Sequence, residues 1–198
     1  MRESDPESLP ISAERYFQMQ DSGIISSDDD VELLDGLIVA MPPSTPHHDT
    51  TISLVQYALL RKLGLDVVTR VQSAFLAGRA SVPQPDIAVA PGHIDSYLNR
   101  HPSCAHLIVE VAQTSVLQDR VTKASIYARA AIPCYWIVNV RDRCVEVFRD
   151  PDRFGACYNE TWRARGADPI RIDAFPDVVF QAQELLPHPT AWNPESLD

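Results

Sequence analysis

Apolar positions that recur every three or four residues predict two helices in the first third of the chain. In the segment HDTTISLVQYALLRKLG, the pattern ends at Gly64 and one helical face carries Ile52, Val55, Leu59 and Leu63. A shorter pattern, ERYFQMQ, follows Ser12 and stops near Gly23, which favours a brief helix with Ser12 as its N-cap. The proline-rich connector MPPSTPHH leads into the longer helix.

Short alternating or continuous apolar runs predict the first strands. VELLDGLIVAM contains two such runs separated by Asp35 and Gly36, a dipeptide that favours a tight two-residue hairpin turn. DVVTRVQSAFLA and QPDIAVA each predict a strand, with GRASVP as the loop between them. Pro85 is compatible with the second of these strands if it takes the first position or lies at a sheet edge.

Three consecutive segments, HLIVEVA, DRVTKASIYARAA and CYWIVNV, predict the centre of the fold. The outer two are continuously apolar, which is typical of parallel strands that are covered on both faces and joined by a right-handed helical crossover. We therefore expect these two strands to be parallel neighbours at the sheet centre, with Ile137 buried. The helix between them should pack across the sheet through Val121, Ala124 and Ala128.

The remaining segments complete a single α/β domain with a mixed sheet. VNVRDRCVEVFRD predicts a hairpin, CYNETWRARG and PIRIDAF predict further strands, and PDVVFQAQELLP predicts a short strand or turn followed by a helical cap. The chain shows no internal repeat and no linker. We expect residues 1–11 to form a flexible N-terminal tail, residues 12–187 the domain, and residues 188–198 a C-terminal tail.

Composition narrows the class of protein. With 198 residues and 45% hydrophobic content, the chain fits one ordinary globular domain. No apolar run approaches the ~20 residues of a membrane span, and the polar, acidic first residues are unlike a signal peptide, so we expect a cytoplasmic protein without membrane association. The net charge of −10 argues against a protein that coats nucleic acid nonspecifically, and any DNA contact must be local.

The four cysteines predict neither a metal site nor a disulfide framework. They lack CxxC spacing, and the sequence surrounding two of them is strand-like and apolar. We interpret all of them as reduced thiols: Cys104, Cys134, Cys144 and Cys157.

Two carboxylates are candidates for metal binding. Asp86 opens the strand QPDIAVA, and Glu110 lies at the end of the apolar strand HLIVEVA, where burying a carboxylate is unfavourable unless it is paired or bound to a cation. Hard oxygen ligands of this kind suit a divalent metal that cleaves phosphodiesters. From the residues alone, a functional and a structural role for Glu110 are about equally supported, because strand alternation could also point it outward.

The helix of the central unit carries a candidate cation, Lys123. Asp119 and Tyr127 lie four residues to either side of it, so the three side chains share one helical stripe. An exposed ion pair with Asp119 is the simpler interpretation. The functional one places the ammonium near an attacking water or a phosphate oxygen, with support from the Tyr127 hydroxyl and from Asp119.

Two further positions stay open at this level. Glu32 in the first hairpin either extends a metal shell or points outward from an alternating strand. His47 and His48 precede the long helix, where an imidazole could meet a phosphate or a metal-bound water. Their spacing is not that of a helical zinc pair, so helix capping by Asp49 or a surface role is the simpler alternative.

Several blocks, taken in order, carry a resemblance to a known family: VELLDGLIVAM, PHH, QPDIAVA, LIVEVAQTSVLQDRVTKASIYARAAIPCYWIVNV, VEVFRDP and AFPDVVF. Together they resemble the Uma-type (Uma two) restriction endonuclease family, a branch of the PD-(D/E)XK nuclease superfamily. The resemblance covers residues 12 to 187. It implies an α/β (α+β) restriction-endonuclease-like core, a mixed β-sheet flanked by helices, with an N-terminal helix and β-hairpin.

The resemblance also implies roles for individual residues. By the family pattern, the metal-binding acids are Asp86 and Glu110, the catalytic lysine is Lys123, and the N-terminal acid that completes the catalytic set is Glu32.

Other residues would support that set, and the sequence departs from the family at Ala112, at Gln113 and at Cys134, where relatives often carry glutamate. His48 would lie beside it, and Asp119 would support the lysine. The superfamily usually carries a lysine two residues after the second acid, but that position is Ala112, so the helix must supply the lysine. Gln113 stands where relatives often carry an acid or serine, which would alter metal affinity.

The function implied is a Mg²⁺- or Mn²⁺-dependent endonuclease that hydrolyses DNA phosphodiester bonds. A homodimer is expected, because this fold commonly cuts two strands with two subunits. Two alternatives remain. One is a catalytically silent module that keeps the fold and binds nucleic acid or protein, which requires a strong basic groove if the ligand is nucleic acid. The other is a small-molecule metalloenzyme built on the same carboxylates, which requires a closed pocket too narrow for DNA.

Overall fold

The computed structural model describes residues 9–26, 28–64, 67–113 and 115–189. The helices are α1 (Ala13–Asp21), α2 (Pro46–Leu63), α3 (Val116–Gln118) and α4 (Ala124–Arg129), with a π-helical turn at Asp119–Lys123 and 3₁₀ turns at Ile94–Tyr97 and Ala182–Leu185. The strands are β1 (Val31–Leu34), β2 (Leu37–Ala40), β3 (Val68–Val71), β4 (Ile87–Ala90), β5 (Leu107–Ala112), β6 (Cys134–Asn139), β7 (Cys144–Asp152), β8 (Cys157–Ala164), β9 (Pro169–Ile172) and β10 (Phe175–Gln181).

Six strands form the main sheet in the order β3-β4-β5-β6-β7-β8. The central pair β5–β6 is parallel, with Glu110 opposite Ile137, and every other neighbouring pair is antiparallel. Every residue of β5 and β6 is buried, Ile137 completely. The predicted parallel pair at the sheet centre is therefore confirmed, and so is the mixed α+β architecture. Strand β5 continues two residues beyond Glu110, to Ala112, so the prediction that it ends at the acid is wrong.

Separate apolar layers cover the two faces of this sheet. On one face, α2 and the β9–β10 hairpin pack on a cluster that includes Trp136 and Phe180, whose rings meet edge to face. On the other face, α4 covers a cluster rich in tyrosine, where Tyr127 and Tyr135 have ring centroids 5.0 Å apart. Burial on both faces explains why the central strands are apolar except at Glu110 and Asn139.

The N-terminal elements follow their local signals. Ser12 caps α1 by accepting the Arg15 N–H, and β1 and β2 form the expected antiparallel hairpin. Asp35 and Gly36 both have positive φ, as a tight hairpin turn of this kind requires. The Ile11 N–H donates to the carbonyl of Gly36, which joins the chain before α1 to the turn.

Helix α2 begins earlier than its apolar pattern indicates. It starts at Pro46, whose fixed φ and missing N–H suit the first helical position, so the PHH of the predicted connector is helical. Its N-cap is Thr45, whose hydroxyl accepts the His48 N–H at 3.3 Å. Capping by Asp49 is thus wrong. Strand β3 also ends early, at Val71, because Gln72 turns the chain with a φ of 44°.

A π-helical turn interrupts the helix of the central unit. Ala124 and Ala128 pack on the sheet as expected, but Val121 is 61% exposed, so its predicted packing role is wrong. A π turn contains more residues than an α-helical turn, which shifts the angular position of the residues before α4. Asp119 and Lys123, at the two ends of the turn, are both buried.

The remaining sequence expectations concern the terminal tails, membrane association and the cysteines. Residues 1–8 and 190–198 of the expected tails lie outside the described residues. None of the helices in the described ranges is long and apolar enough to cross a membrane. The thiols are free: Cys134 and Cys144 are buried, and Cys104 and Cys157 are exposed.

Candidate functional site

One cavity of about 800 Å³, here named the acidic cavity, contains nearly all of the predicted site residues. Its walls come from β1, the connector before α2, the first turn of α2, the start of β4, the end of β5 and the helical segment 115–123. The predicted residues that line it are Glu32, His47, His48, Asp86, Glu110, Gln113, Asp119 and Lys123. Tyr127 lies behind this wall.

The first acid pair arises from the antiparallel pairing of β4 and β5. Ile87 pairs with Val109, so Asp86, the residue before β4, stands opposite Glu110. Asp86 Oδ2 accepts the backbone N–H of Val111 at 2.7 Å. The pairing thus brings together two carboxylates that are 24 residues apart in the chain, and a backbone donor holds one of them in place.

Glu110 is held from the helical side. Its Oε1 accepts hydrogen bonds from Lys123 Nζ at 3.1 Å and from the Tyr127 hydroxyl at 2.8 Å. The side chain is almost fully buried, so the outward orientation that strand alternation left open is wrong. Burial raises the pKa of Glu110 well above its usual value despite the charge of Lys123, because Asp86 and the other cavity acids add to the repulsion.

Lys123 joins the helix to two acids. Its ammonium lies 3.1 Å from Glu110 Oε1 and 3.4 Å from Glu32 Oε1, and it is buried. Burial lowers the pKa of this amine, but the carboxylates of Glu110, Glu32 and Asp119 outweigh that effect and the net pKa is raised. Lys123 is therefore a cation at neutral pH, and the exposed ion pair with Asp119 that helix spacing favours is wrong.

Glu32 enters the cavity from β1. It is 3% exposed, so the interpretation of an outward residue in an alternating strand is also wrong. While Oε1 faces Lys123, Oε2 accepts the backbone N–H of Gln84 at 3.1 Å. The hairpin β1–β2 is thereby tied to the loop that precedes β4.

Asp119 and Tyr127 occupy the expected stripe but use other partners. Asp119 accepts a hydrogen bond from the Ser115 hydroxyl at 2.8 Å, and the ion pairs of Lys123 within the described residues go to Glu32 and Glu110 instead. Burial raises the pKa of Asp119 to about 6, although Lys123 and Ser115 oppose the shift. The Tyr127 hydroxyl donates to a carboxylate rather than supporting the ammonium.

His48 lies beside Asp86. Its Nε2 is 3.2 Å from Asp86 Oδ2, and its Nδ1 is 3.2 Å from the hydroxyl of Ser44, which itself donates to Asp49. Because Ser44 gives its hydrogen to Asp49, Nδ1 acts as a donor, and Nε2 faces a carboxylate. Burial lowers the pKa of His48, but Asp86 and Asp49 together raise it by more than burial lowers it. The net pKa is therefore above its usual value, and the imidazolium is favoured.

Gln113 follows β5 on the same wall. Its Oε1 accepts a hydrogen bond from the Thr45 hydroxyl at 2.7 Å, which links the end of β5 to the N-cap of α2. The side chain is more than nine-tenths buried. Gln113 adds no carboxylate to the cavity, and its amide oxygen is already engaged by Thr45.

The donor set suits a divalent cation. Among the described residues, hydrogen bonds and ion pairs use Oδ2 of Asp86 and Oε1 of Glu110, which leaves the second oxygen of each carboxylate as a ligand. Burial is the main cause of the raised pKa of Glu110, and the neighbouring buried acids of the cavity raise it further. Mg²⁺ binds through one or two carboxylates while keeping several waters, so a pair of acids is sufficient.

A second acidic group lies on β7 and the turn before it. Asp142, Cys144 and Glu146 present donor atoms within 4.8 Å of one another, and no other set of three was found in the described ranges. Glu146, however, accepts two hydrogen bonds from the guanidinium of Arg120 and one from Asn139. Arg120 already compensates this charge, so the group is an ion-pair network.

Sequence reasoning missed the polar residues that position the site. Thr45, Ser44, Ser115 and Gln84 each hold one of the predicted residues through a hydrogen bond. Thr45 before Pro46 is an N-cap signal that could have been found. The backbone contact of Gln84 depends on a residue 52 positions away and leaves no local signal.

Comparison with known proteins identifies the family. A family model described as "Putative restriction endonuclease", Uma2, matches residues 13–189, which is nearly the whole chain. The chain belongs to the Uma2 family. No curated protein matches the chain significantly.

Two solved structures were compared with this Uma2 protein. One, a putative nuclease belonging to DUF820 from Anabaena variabilis ATCC 29413, superposes with a TM-score of 0.70 at 16% identity over 89% of this chain and 97% of that one. At this identity it establishes a shared fold. The other, the type IIG restriction endonuclease BpuSI, matches with a TM-score of 0.36 at 18% identity over 59% of this chain and 13% of that one, too little for an argument.

Proposed function

We propose that this Uma2 protein is a metal-dependent endonuclease that hydrolyses phosphodiester bonds of DNA. The observation that carries the proposal is the buried Lys123 ammonium, which contacts Glu110 and Glu32 in a cavity that also contains Asp86. In a nuclease site, acids with hard oxygen ligands bind the metal, and a nearby cation stabilises the negative charge that develops on the phosphate. Membership of the family supports the same reaction.

Asp86 and Glu110 are the proposed ligands of Mg²⁺ or Mn²⁺. Each carboxylate has one oxygen fixed by the protein, Asp86 by the Val111 N–H and Glu110 by Tyr127 and Lys123. The orientation of both acids is therefore set before any cation arrives, as a rigid site requires. A bound divalent cation supplies Lewis-acid stabilisation of a phosphoryl oxygen and lowers the pKa of a coordinated water.

Lys123 acts as a fixed positive charge. Because its raised pKa keeps it protonated, it cannot accept the proton of an attacking water. It instead stabilises the charge on a non-bridging phosphate oxygen and orients the nucleophile. Glu32 completes the catalytic set by holding the ammonium from the hairpin side, and Tyr127 fixes Glu110 from behind. His48 and Asp119 support the site through Asp86 and through the local field.

We further propose that the protein works as a homodimer in the cytoplasm. One site of this kind cuts one strand, and a two-fold axis would bring a second site to the other strand. Analytical ultracentrifugation should give twice the chain mass of 22.1 kDa. A single-chain mass across the whole concentration range, with or without duplex DNA, would refute the dimer.

Calorimetry and a cleavage assay test the proposed function together. Wild type should bind Mn²⁺, and Asp86→Ala should abolish that binding, because it removes one of the two ligands. Asp177→Ala, an exposed aspartate on β10, is the matched control and should bind as wild type does. Supercoiled and single-stranded DNA should be cleaved with Mg²⁺ or Mn²⁺ by the wild type and the control only.

Different failures have different meanings. Equal Mn²⁺ binding by wild type and Asp86→Ala would refute the ligand assignment. Intact Asp86-dependent metal binding without cleavage of either DNA would favour the second candidate, a catalytically silent nucleic-acid or protein-binding module. The observation in favour of that candidate is Ala112 at the position where the superfamily usually carries its lysine.

A further inference from the structure

The wall of the acidic cavity contains a hydrogen-bond donor that has no acceptor. Gln113 Nε2 is buried and makes no hydrogen bond within the described part of the chain. Four other buried side-chain nitrogens share this property, but none of their residues lines the cavity. A buried donor without an acceptor is unfavourable, so this position is suited to a ligand that brings an acceptor.

Thr45 sets the orientation of the Gln113 amide. The Thr45 hydroxyl oxygen accepts the His48 N–H at 3.3 Å, as the N-cap of α2, and its hydrogen is donated to Gln113 Oε1 at 2.7 Å. The amide oxygen therefore faces Thr45. The amide nitrogen is turned away from it, which leaves an N–H group as the group that Gln113 offers to a ligand.

The same wall contains the N-terminus of α2. This helix is 18 residues long, and Thr45, Pro46, His47 and His48 from its cap and first turn line the cavity. The N-terminal end of a helix carries a partial positive charge that favours anions. Asp49 in the same turn opposes this effect, but it is not among the lining residues and accepts a hydrogen bond from Ser44.

We propose that Gln113 and the first turn of α2 form a subsite for a phosphate of the nucleic-acid backbone, next to the phosphate that is cleaved. The inference rests on the proposed function, and it adds to it a contact that neither metal nor Lys123 provides. A phosphodiester oxygen is the anionic acceptor that both the amide N–H and the helix N-terminus favour. The remaining lining residues include five carboxylates, which repel a phosphate: Asp30, Glu32, Asp86, Glu110 and Asp119.

A contact of this kind positions the backbone without reading a base sequence. An acid in place of Gln113 would add a ligand or a repulsive charge, whereas the glutamine adds a neutral donor. The protein thereby gains a contact to substrate in addition to the charge of Lys123.

The test measures binding of a fluorescent duplex oligonucleotide by anisotropy, with Ca²⁺ present so that affinity is measured separately from cleavage. Gln113→Met keeps the size of the side chain and removes both polar atoms, and should weaken binding about tenfold, the effect of one lost hydrogen bond to a charged group. Thr45→Val frees the amide to rotate and should give a smaller loss. Gln18→Met, an exposed glutamine on α1, is the matched control and should bind as wild type does.

Methylphosphonate linkages, which remove the charge of one phosphate at a time, identify the contact. At one linkage the wild type should lose about tenfold in affinity, and Gln113→Met should lose no more there, because the contact is already gone. If the affinity loss from Gln113→Met and the loss from the methylphosphonate add at every linkage, the subsite is overturned. Wild-type thermal stability in Gln113→Met would show that folding is not the cause of the loss.

A separate titration with inorganic phosphate distinguishes the inference from the proposed function. Phosphate binding that Gln113→Met weakens, in a protein that binds no oligonucleotide, would support the anion subsite and overturn nucleic acid as its ligand. Oligonucleotide binding and cleavage that are both unaffected by Gln113→Met would overturn the subsite and leave the proposed nuclease intact.

Discussion

Individual backbone N–H groups position two of the acids in the cavity. Val111 donates to Asp86, and Gln84 donates to Glu32. A backbone donor has little freedom to move, because the sheet or the adjoining loop fixes it. Each carboxylate thus has one oxygen oriented by the backbone, and its other oxygen can meet a cation.

Lys123 should be the residue whose loss harms activity most. We expect Lys123→Ala to reduce the DNA cleavage rate by about 100-fold or more, because the charge that stabilises the transition state is gone. It should also destabilise the metal-free protein by about 3–5 kcal/mol, because Glu110 and Glu32 lose their buried partner. Cleavage kinetics and urea unfolding measure the two effects.

The chain contains one other lysine, which provides the control. Lys62→Ala removes a pair with Glu184 near the surface and should leave cleavage unchanged. If Lys123→Ala folds and cleaves as fast as Lys62→Ala, the ammonium has no part in the reaction.

Asp119 should make the metal-free protein less stable as the pH rises. Its pKa is raised from 3.8 to about 6, so between these values the folded protein holds a proton that the unfolded chain has released. The free energy of unfolding therefore falls as the pH increases from about 4 to 6. Asp119→Asn should flatten this dependence and stabilise the protein at pH 7 by up to about 3 kcal/mol.

Urea unfolding at several pH values, in the presence of a metal chelator, is the measurement. Asp177→Asn at the exposed β10 position should keep the wild-type pH profile. A loss of stability at pH 7 in Asp119→Asn would show that the ionised form of Asp119 stabilises the fold.

At the scale of elements, the π-helical turn controls which side chains enter the cavity. Asp119 and Lys123 are both buried at its ends, while Val121 between them is exposed. Tyr135 also donates to the carbonyl of Asp119 at 3.2 Å, a contact from the sheet that helps to hold the turn. Turns of this kind recur at functional sites because they add one residue without breaking the helix.

Removing that added residue gives a direct test. Deletion of Val121 should restore a regular helix, in which each residue turns the chain by about 100°. Ala124 and Ala128 hold α4 on the sheet, so the rotation falls on Asp119. We expect the deletion to move Asp119 out of the cavity and to abolish the pH dependence between about 4 and 6 that its raised pKa causes.

Val121→Ala keeps the turn and is the control for the deletion. Because the side chain is mostly exposed, this substitution should preserve the wild-type pH profile and stability to within about 0.5 kcal/mol. A wild-type pH profile in the deletion variant would mean that the turn does not place Asp119.

In the whole molecule, the residues of the site come from different layers. Strand β5 and the residue before β4 supply Glu110 and Asp86, and the helical segment above the sheet supplies Lys123. The hairpin β1–β2 and α2 bring Glu32 and His48 from the N-terminal part of the chain. A change in how these layers pack should therefore affect the geometry of the cavity more than the pairing of the sheet strands.

Hydrogen exchange should show this difference in stability across the molecule. The amides of β5 and β6 should exchange most slowly, because both strands are central and buried on both faces. The amides of β8, an edge strand with a mostly exposed sequence, should exchange faster. Slower exchange in β8 than in β6, measured by mass spectrometry on the same sample, would contradict a stability centre at the parallel pair.

Local patterns in the sequence determined the elements and the central topology. The continuously apolar strands around Glu110 and Ile137 indicated a parallel pair, since only burial on both faces permits such runs. Ser12 and the Asp35-Gly36 pair also predict the helix cap and the turn that the structure has, because capping and turn chemistry act over a few residues. The residues alone made Asp86, Glu110 and Lys123 candidates, and the family resemblance assigned their roles, which pattern alone left open.

Tertiary structure decided the directions and partners of the side chains. Glu32 points inward because the hairpin packs over Gln84, and a π turn sets the helical phase at which Asp119 and Lys123 are both buried. The bond between Thr45 and Gln113 joins positions 68 residues apart. Such contacts depend on how separate layers pack, and neither periodicity nor local propensity carries that information, because both describe only neighbours along the chain.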